Sequence, residues 1–275
     1  MTTKEILSRV AIYAILTLGS ILMLFPFLWM LSSSLMTHAE VMATPPVWVP
    51  SSPVWENYRE AWSIAPFGRY FLNNIWIAFS GTGAELITTI LAAYAFAKLN
   101  FWGKSIVFSL LLATMMVPSE ILLIQNFVTI ARLEWINTFR ALTVPWFASI
   151  FSIFLLRQFF LSVPVQLSYA AKVDGCRDFR FLWAVMVPLA KPALVTIGVL
   201  AIINSWNSFL WPLVVTTTPE MRTLPVGLAM FRGEAGTFFH LLMAGSVIVV
   251  APMIVLFLVM QKQIVNGVAR SGIKG

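Results

Sequence analysis

Between Tyr169 and Pro188 the chain reads YAAKVDGCRDFRFLWAVMVP, and five ionisable side chains, Lys172, Asp174, Arg177, Asp178 and Arg180, fall within nine positions. Charges this dense beside a glycine can rim a docking face. They do not make a catalytic set, which needs a converging nucleophile, base or metal. The two histidines, His38 and His240, lie far apart in the sequence, and Cys176 is the single cysteine, so no cluster has metal-ligand spacing and no internal disulfide is expected. Two further groups could do chemistry. Glu85 sits inside a long apolar run, where an ionisable side chain is a functional candidate by default. It reads as the one acid well inside such a run, and pairing with Thr82, Thr88, Thr89 or another chain competes evenly with a substrate contact. Asn204, Ser205, Trp206, Asn207 and Ser208 bring amides and hydroxyls into another apolar run, with flat rings from Trp206, Phe209 and Trp211 beside them. That mixture suits a sugar: amides for its hydroxyls, rings for its C–H faces. Helix-to-helix bonding is an even alternative for Asn204 and Asn207, and Trp211 reads better as part of an interfacial tryptophan belt.

The elements that must position these groups follow from composition. Of 275 residues, 59% are hydrophobic and 11% charged, and mean hydropathy is +0.86. Soluble domains carry about a quarter charged residues, so the bilayer is the solvent. A net charge of +7 would suit nucleic acid, but the basic residues are scattered over short loops between apolar runs; we read them as topology signals, with no nucleic-acid partner. A spanning helix needs about 20 mostly apolar residues. Six stretches qualify: 10–35, 70–97, 105–130, 141–161, 192–215 and 241–260, within one transmembrane domain over 1–275. Prolines 26, 118, 145 and 212 predict kinks. With the N-terminus cytoplasmic, twelve of the eighteen Lys and Arg fall inside and six outside, which places both termini and the charged segment 162–191 in the cytoplasm. Lys4 and Arg9 before the first run resemble a signal peptide, but the run is too long and no small-residue cleavage site follows, so a retained helix is expected. The outer segment 38–69, rich in Pro and Trp, reads as a loop at the headgroup boundary.

Within 162–191, Ser162 can cap a helix with Pro164 in its first turn. That helix should stop at Gly175, which can adopt the left-handed conformation. A second helix, about 178–187, then carries Phe179, Leu182, Trp183 and Met186 as one apolar stripe, and Pro188 punctuates it. Small Ala170 and Ala171 allow close approach of a partner backbone. By shape alone, a groove on a soluble partner and an amphipathic hairpin on lipid headgroups are equally good readings.

The spacing decides between them by resemblance. Tyr169-Ala170-Ala171, three residues, Gly175, nine residues, Val185, one residue, Val187-Pro188 is similar to the EAA loop of ABC importer permeases, E-A-A-x3-G-x9-I-x-L-P. RYFLNN at 69–74, LAAYAFAKLNF at 91–101, FLLRQFFLSVP at 154–164 and SWNSFLWPL at 205–213 resemble the carbohydrate-uptake, MalG-like branch, over nearly the whole chain. Tyr169 stands where the family has Glu, and Val185 and Val187 replace Ile and Leu. The resemblance implies an all-α, six-span permease of the type I importer fold. Its elbow, with Tyr169, Ala170, Ala171, Lys172, Asp174, Gly175, Arg177 and Pro188, would be the coupling helix seated in a cytoplasmic ATPase. The implied partners are a homologous permease subunit, two ATP-binding subunits and an extracytoplasmic solute-binding protein. ATP and Mg would sit on the ATPase, and this chain would bind no cofactor and no metal. The absence of G-x-x-x-x-G-K-[ST] agrees. By the same resemblance the outer segment 218–238, with its tip Arg232-Gly233-Glu234-Ala235-Gly236, would reach into the binding protein, and the tail 265–275 would lie on the ATPase. The length of 218–238 alone exceeds a plain connection. The family usually has a neutral residue at position 85, so Glu85 takes no role from it. The substrate would be sugar-like, its path touching Asn204, Trp206, Asn207, Phe209 and Glu85, in a bacterial cytoplasmic membrane. An ion-coupled secondary transporter is the alternative, disfavoured because such proteins use intramembrane carboxylates.

Overall fold

A computed structural model describes residues 3–233 and 236–272. Helices dominate, and the described strands are the two short ones Arg232–Gly233 and Gly236–Thr237, paired antiparallel. Four helical stretches are long and apolar enough to cross a membrane: Ser8–Ser34, Phe67–Lys98, Phe139–Ser162 and Phe239–Gln261. The number rises to six if two bent pairs each count as one span. The residues fall into two compact units, Met1–Gly68 with Gly227–Pro252, and Arg69–Val226 with Met253–Gly275.

Two of the expected kinks, at Pro118 and Pro212, are full breaks in the helices. The stretch 105–130 is two helical pieces, Lys104–Thr114 and Ser119–Arg132, meeting at 89°. Pro118 explains the turn: it pushes Val117 away from helical geometry and is itself extended, at φ −59°, ψ 132°. The stretch 192–215 breaks as well. One helix, Lys191–Trp206, ends at Asn207, and a shorter one, Leu210–Val215, follows. Pro212 has no N–H for the Ser208 carbonyl, and its ring crowds that carbonyl, so the helix cannot continue through 208. At its start, Lys191–Trp206 meets Asp178–Leu189 at 79°.

In the first unit, the helix Thr3–Ser34 leaves a ring of exposed apolar side chains, including Leu16, Met23 and Leu28. Asn57, buried, donates from Nδ2 to the carbonyls of Ser34 (2.9 Å) and Met36 (2.8 Å), satisfying acceptors at that helix's end. The segment 38–69, expected to be a loop, is therefore built rather than loose. It holds two helices, His38–Val41 and Glu56–Ile64. Thr37 and Glu40 form a reciprocal cap, and Glu40 also accepts from the Ser51 hydroxyl and from its amide at 2.9 Å. These bonds, the Ser51 hydroxyl first, hold the Glu40 carboxyl down to about 2.

In the second unit, Asn73 and Asn74 on the helix Phe67–Lys98 tie down the chain beyond Val215. Asn73 Nδ2 donates to Glu220 O (2.7 Å) and Arg222 O (2.9 Å). Asn74 Nδ2 donates to Trp206 O (3.2 Å), while its Oδ1 accepts from Leu224 N (3.3 Å). Asn137, at φ 59°, accepts on Oδ1 from the amides of Thr217 and Thr218.

Candidate functional site

Two features of the second unit carry the functional reading, an exposed elbow and an open cavity. The elbow's first limb is the helix Val165–Val173. Ser162 does not cap it; that residue ends the preceding helix, Ile150–Ser162, and its hydroxyl bonds back to Phe159 O at 2.7 Å. Pro164 is the flanking residue instead. The limb terminates as a Schellman turn: Cys176 N donates to Ala171 O (2.8 Å) and Gly175 N to Lys172 O (3.0 Å). Gly175 carries the turn at φ +70°. A Cβ there would meet nothing within 4 Å, so the demand for glycine is one of backbone conformation, not of space.

The return limb departs from the expected stripe. It runs as Asp178–Phe181, a π-helical stretch Leu182–Met186, and a last turn Val187–Leu189. Pro188 cannot donate to the Ala184 carbonyl and crowds it; the widened turn, with Val187 N bonded to Leu182 O, accommodates the ring. Of this limb Phe181, Leu182 and Met186 are buried. Phe179, 68% exposed, and Trp183 pair edge-to-face outside. The buried trio packs with Ile90 and Tyr94 of Phe67–Lys98, Leu156 and Phe160 of Ile150–Ser162, and Ile197 of Lys191–Trp206; Ala171, Cys176, Val185 and Val187 pack at its margin. The other side of the elbow is open. Tyr169, Ala170, Lys172, Asp174, Gly175, Arg177 and Pro188 are all exposed, and Val173, at 88%, protrudes among the charges. Tyr94 OH approaches Asp178 Oδ1 at 3.5 Å, and Lys98 Nζ donates to Val163 O at 3.0 Å just before the elbow.

The cavity measures about 1030 Å³, at the upper end of the 300–1000 Å³ usual for small-molecule sites. Glu85, Asn204, Ser205 and Ser208 line it, as does Glu120. Glu120 escaped the sequence reading, which counted Glu85 as the only acid within a span. The break after Pro118 turns the Ser119–Leu122 segment onto the cavity; position 120 inside a run of apolar residues was the available signal. Glu85 is held by Ser152, whose hydroxyl donates to Oε1 at 2.7 Å, while Thr88 Oγ1 bonds the Glu85 backbone carbonyl at 2.9 Å. Trp146 and Trp211 add rings to the wall and meet edge-to-face. Trp211 is no belt residue: it is buried, and its Nε1 donates to Ala141 O at 2.8 Å.

Other expected pathway residues are placed differently. Trp206 is buried edge-to-face against Phe71 and is not among the cavity's lining. Asn207 is exposed and outside the cavity, and Phe209 lines an adjoining cleft of about 290 Å³ shared with Trp146 and Trp211. At the outer tip, Arg232, Gly233 and Gly236 lie on the small hairpin, whereas Glu234 and Ala235 lie outside the described residues. The backbone of the tail is helical as far as Gly272, and residues 273–275 lie outside the described ones. Among the described residues no group of three or more His, Cys, Asp and Glu could hold a metal ion.

A family described as the binding-protein-dependent transport system inner membrane component matches residues 85–270. The chain belongs to it. The permease is 34% identical over 92% of its length to the sulfoquinovosyl glycerol transport system permease protein of Agrobacterium fabrum, covering 89% of that protein. It is 32% identical over 95% of its length to the arabinooligosaccharides transport system permease protein of Halalkalibacterium halodurans, covering 96% of it. It is 31% identical over 94% of its length to the sn-glycerol-3-phosphate transport system permease protein of Yersinia pestis, covering 95% of it. Its fold is similar to a chain of a bacterial ABC transporter involved in the import of the acidic polysaccharide alginate, with a TM-score of 0.84, 24% identity, and coverage of 95% of this chain and 98% of that one. Membership settles the choice between the two transport classes: the chain is a binding-protein-dependent importer permease and not an autonomous ion-coupled carrier.

Proposed function

We propose that the permease forms one half of the translocation pathway of an ATP-driven importer for a sugar or related polyol, with the elbow docked on a cytoplasmic ATP-binding subunit. The observation that carries this reading is the two-sidedness of the elbow. Its tip is exposed and charged, while its return limb is fixed by Phe181, Leu182 and Met186 among three membrane helices. A force applied at the tip is delivered to those helices, because a packed core transmits displacement. The same helices, Phe67–Lys98, Ile150–Ser162 and Lys191–Trp206, carry Glu85, Ser152 and Asn204 to the cavity.

In this mechanism closure of an ATPase dimer pulls the elbow, the pathway opens toward a loaded solute-binding protein, and hydrolysis resets it inward. ATP and Mg belong to the ATP-binding subunits, and this chain does no hydrolysis. A second, homologous membrane subunit completes the path. Lys104–Thr114 with Ser119–Arg132 counts as one crossing and Lys191–Trp206 with Leu210–Val215 as another, which gives six, and both termini face the cytoplasm of a bacterial inner membrane. The outer tip at 232–236 contacts the binding protein. The arabinooligosaccharide and glycerol derivatives in the relatives' names, together with a wall of hydroxyls, an amide and indole rings, support a polyhydroxylated substrate.

The test is uptake into proteoliposomes holding the complete complex. Uptake that requires ATP inside, loaded binding protein outside and this chain supports the proposal. Uptake by this chain alone under an ion gradient would overturn it.

A further inference from the structure

We propose that the cavity is an electronegative half-site for a polyhydroxylated solute bearing no anionic group, with Glu85 as the residue that sets this selectivity. The inference rests on reading the cavity as part of the translocation pathway and adds the substrate's charge class. Family membership leaves that class open, since the relatives' names cover both a neutral arabinooligosaccharide and the anion sn-glycerol-3-phosphate.

Charge is the first argument. Glu85 and Glu120 both line the cavity, and among the described residues of its wall there is no Lys, Arg or His. Two carboxylates on one wall of an open cleft, without a neighbouring cation, give the cleft a negative potential. A phosphate, sulfonate or carboxylate passing there would meet no compensating donor charge.

The second argument is unmet hydrogen bonding on the same wall. Thr82 (7% exposed) and Thr223 (2% exposed) line the cavity, and their hydroxyls have no hydrogen-bond partner. Buried polar groups are ordinarily paired. Both oxygens are covered in this conformation, and a change of rotamer about Cα–Cβ is what offers them to the contents of the cavity. Glu85 is already oriented for such contents. Ser152 holds Oε1, and no described residue donates to the second oxygen. An ionised carboxylate only accepts, so the complementary ligand brings O–H donors to Glu85 and accepts or donates at the threonines. A sugar or polyol hydroxyl does both; an anionic group accepts at the threonines but brings no O–H donor to Glu85.

The test needs no knowledge of the natural solute. In membranes holding the assembled complex, Asn204→Cys is treated with the cationic 2-aminoethyl and the anionic 2-sulfonatoethyl methanethiosulfonates. Rates are read at residue 204 by mass spectrometry, and the cation-to-anion ratio is divided by that of a free thiol in solution. The expected normalised ratio is at least about 10, and Glu85→Gln with Glu120→Gln lowers it to within about 2-fold of unity, Glu85→Gln giving the larger part; such a factor reflects the concentrating effect of a charged cleft. A ratio near one, a ratio untouched by Glu85→Gln, or no reaction with either reagent would overturn the proposal. Loss of charge preference in a complex that still imports by ATP would refute this inference alone. Absence of ATP-dependent uptake by the unaltered complex would instead refute the importer reading.

Discussion

The elbow and the cavity belong to one compact unit yet are made in opposite ways. Contacts close in sequence shape the elbow: the Schellman turn joins residues 171–176, and Gly175 alone supplies the left-handed backbone. The cavity is assembled from distant parts of the chain, with Ser152 reaching Glu85 and Glu120 brought in by a broken helix. A local device can keep its shape while it moves as a lever. A long-range device changes shape when its helices move, as a pathway of alternating access must.

Four perturbations would sharpen or break that contrast. The largest effect is expected where long-range bonds are removed. Asn73→Leu with Asn74→Leu removes four hydrogen bonds, those to the carbonyls of Trp206, Glu220 and Arg222 and that from the amide of Leu224, each worth about 0.5–1.5 kcal/mol. The purified complex should then unfold at clearly lower temperature; an unchanged midpoint would remove these asparagines from the account. Next comes Gly175→Val, which forces a β-branched residue to φ +70° at about 1–3 kcal/mol. ATP-driven uptake should fall at least about 10-fold, whereas Gly175→Asn, which tolerates the left-handed region, retains most of it. Equal loss in both variants would point to space rather than conformation, against the open surroundings of that Cβ.

Smaller still is Tyr94→Phe, which deletes a hydroxyl 3.5 Å from Asp178, at the outer limit of a hydrogen bond. Uptake should change by less than about 2-fold, since net hydrogen bonds contribute about 0.5–1.5 kcal/mol even at good geometry; a 10-fold loss would make that link part of the lever. The smallest effect lies in the other unit. Because the folded Glu40 carboxyl is held at about 2, below its ordinary 4.5, its contribution is complete above 4.5 and is lost as pH falls toward 2. Amide exchange at Ser51 and Thr37, relative to intrinsic rates, should rise across that window in the unaltered chain and be high throughout in Glu40→Gln. Equal protection in both would dismiss the tether.

The same contrast explains what could be read from sequence. Gly175 and the glycine-broken elbow were legible because their cause is the adjacent backbone. The apolar runs were legible because length and hydropathy suffice for a membrane, although among the described residues four continuous stretches qualify without joining bent pairs. The return limb was legible in part: of the stripe Phe179, Leu182, Trp183 and Met186, the core takes Leu182 and Met186 together with Phe181, while Phe179 and Trp183 stay exposed. Prolines 118 and 212 announced kinks, but not that one kink would bring Glu120 onto the cavity beside Glu85. Trp206 and Trp211 exchanged expected roles for a similar reason. Which of two nearby indoles faces a cavity depends on the helix break between them, and both are buried, one against Phe71 and the other against Trp146. The RYFLNN phrase was recognisable only as a phrase; its two asparagines act on residues more than a hundred positions away.

The central claim, that the exposed elbow is driven by an ATP-binding subunit while its buried limb moves the pathway, is tested most directly by a reversible cross-link. In the assembled complex, Val173→Cys on a Cys176→Ser background is oxidised against single cysteines on the ATP-binding subunit. The account predicts a disulfide to that subunit, loss of ATP-driven uptake when it forms, and recovery on reduction. Absence of any such cross-link across the subunit's surface, or full uptake while the elbow is locked, would contradict it.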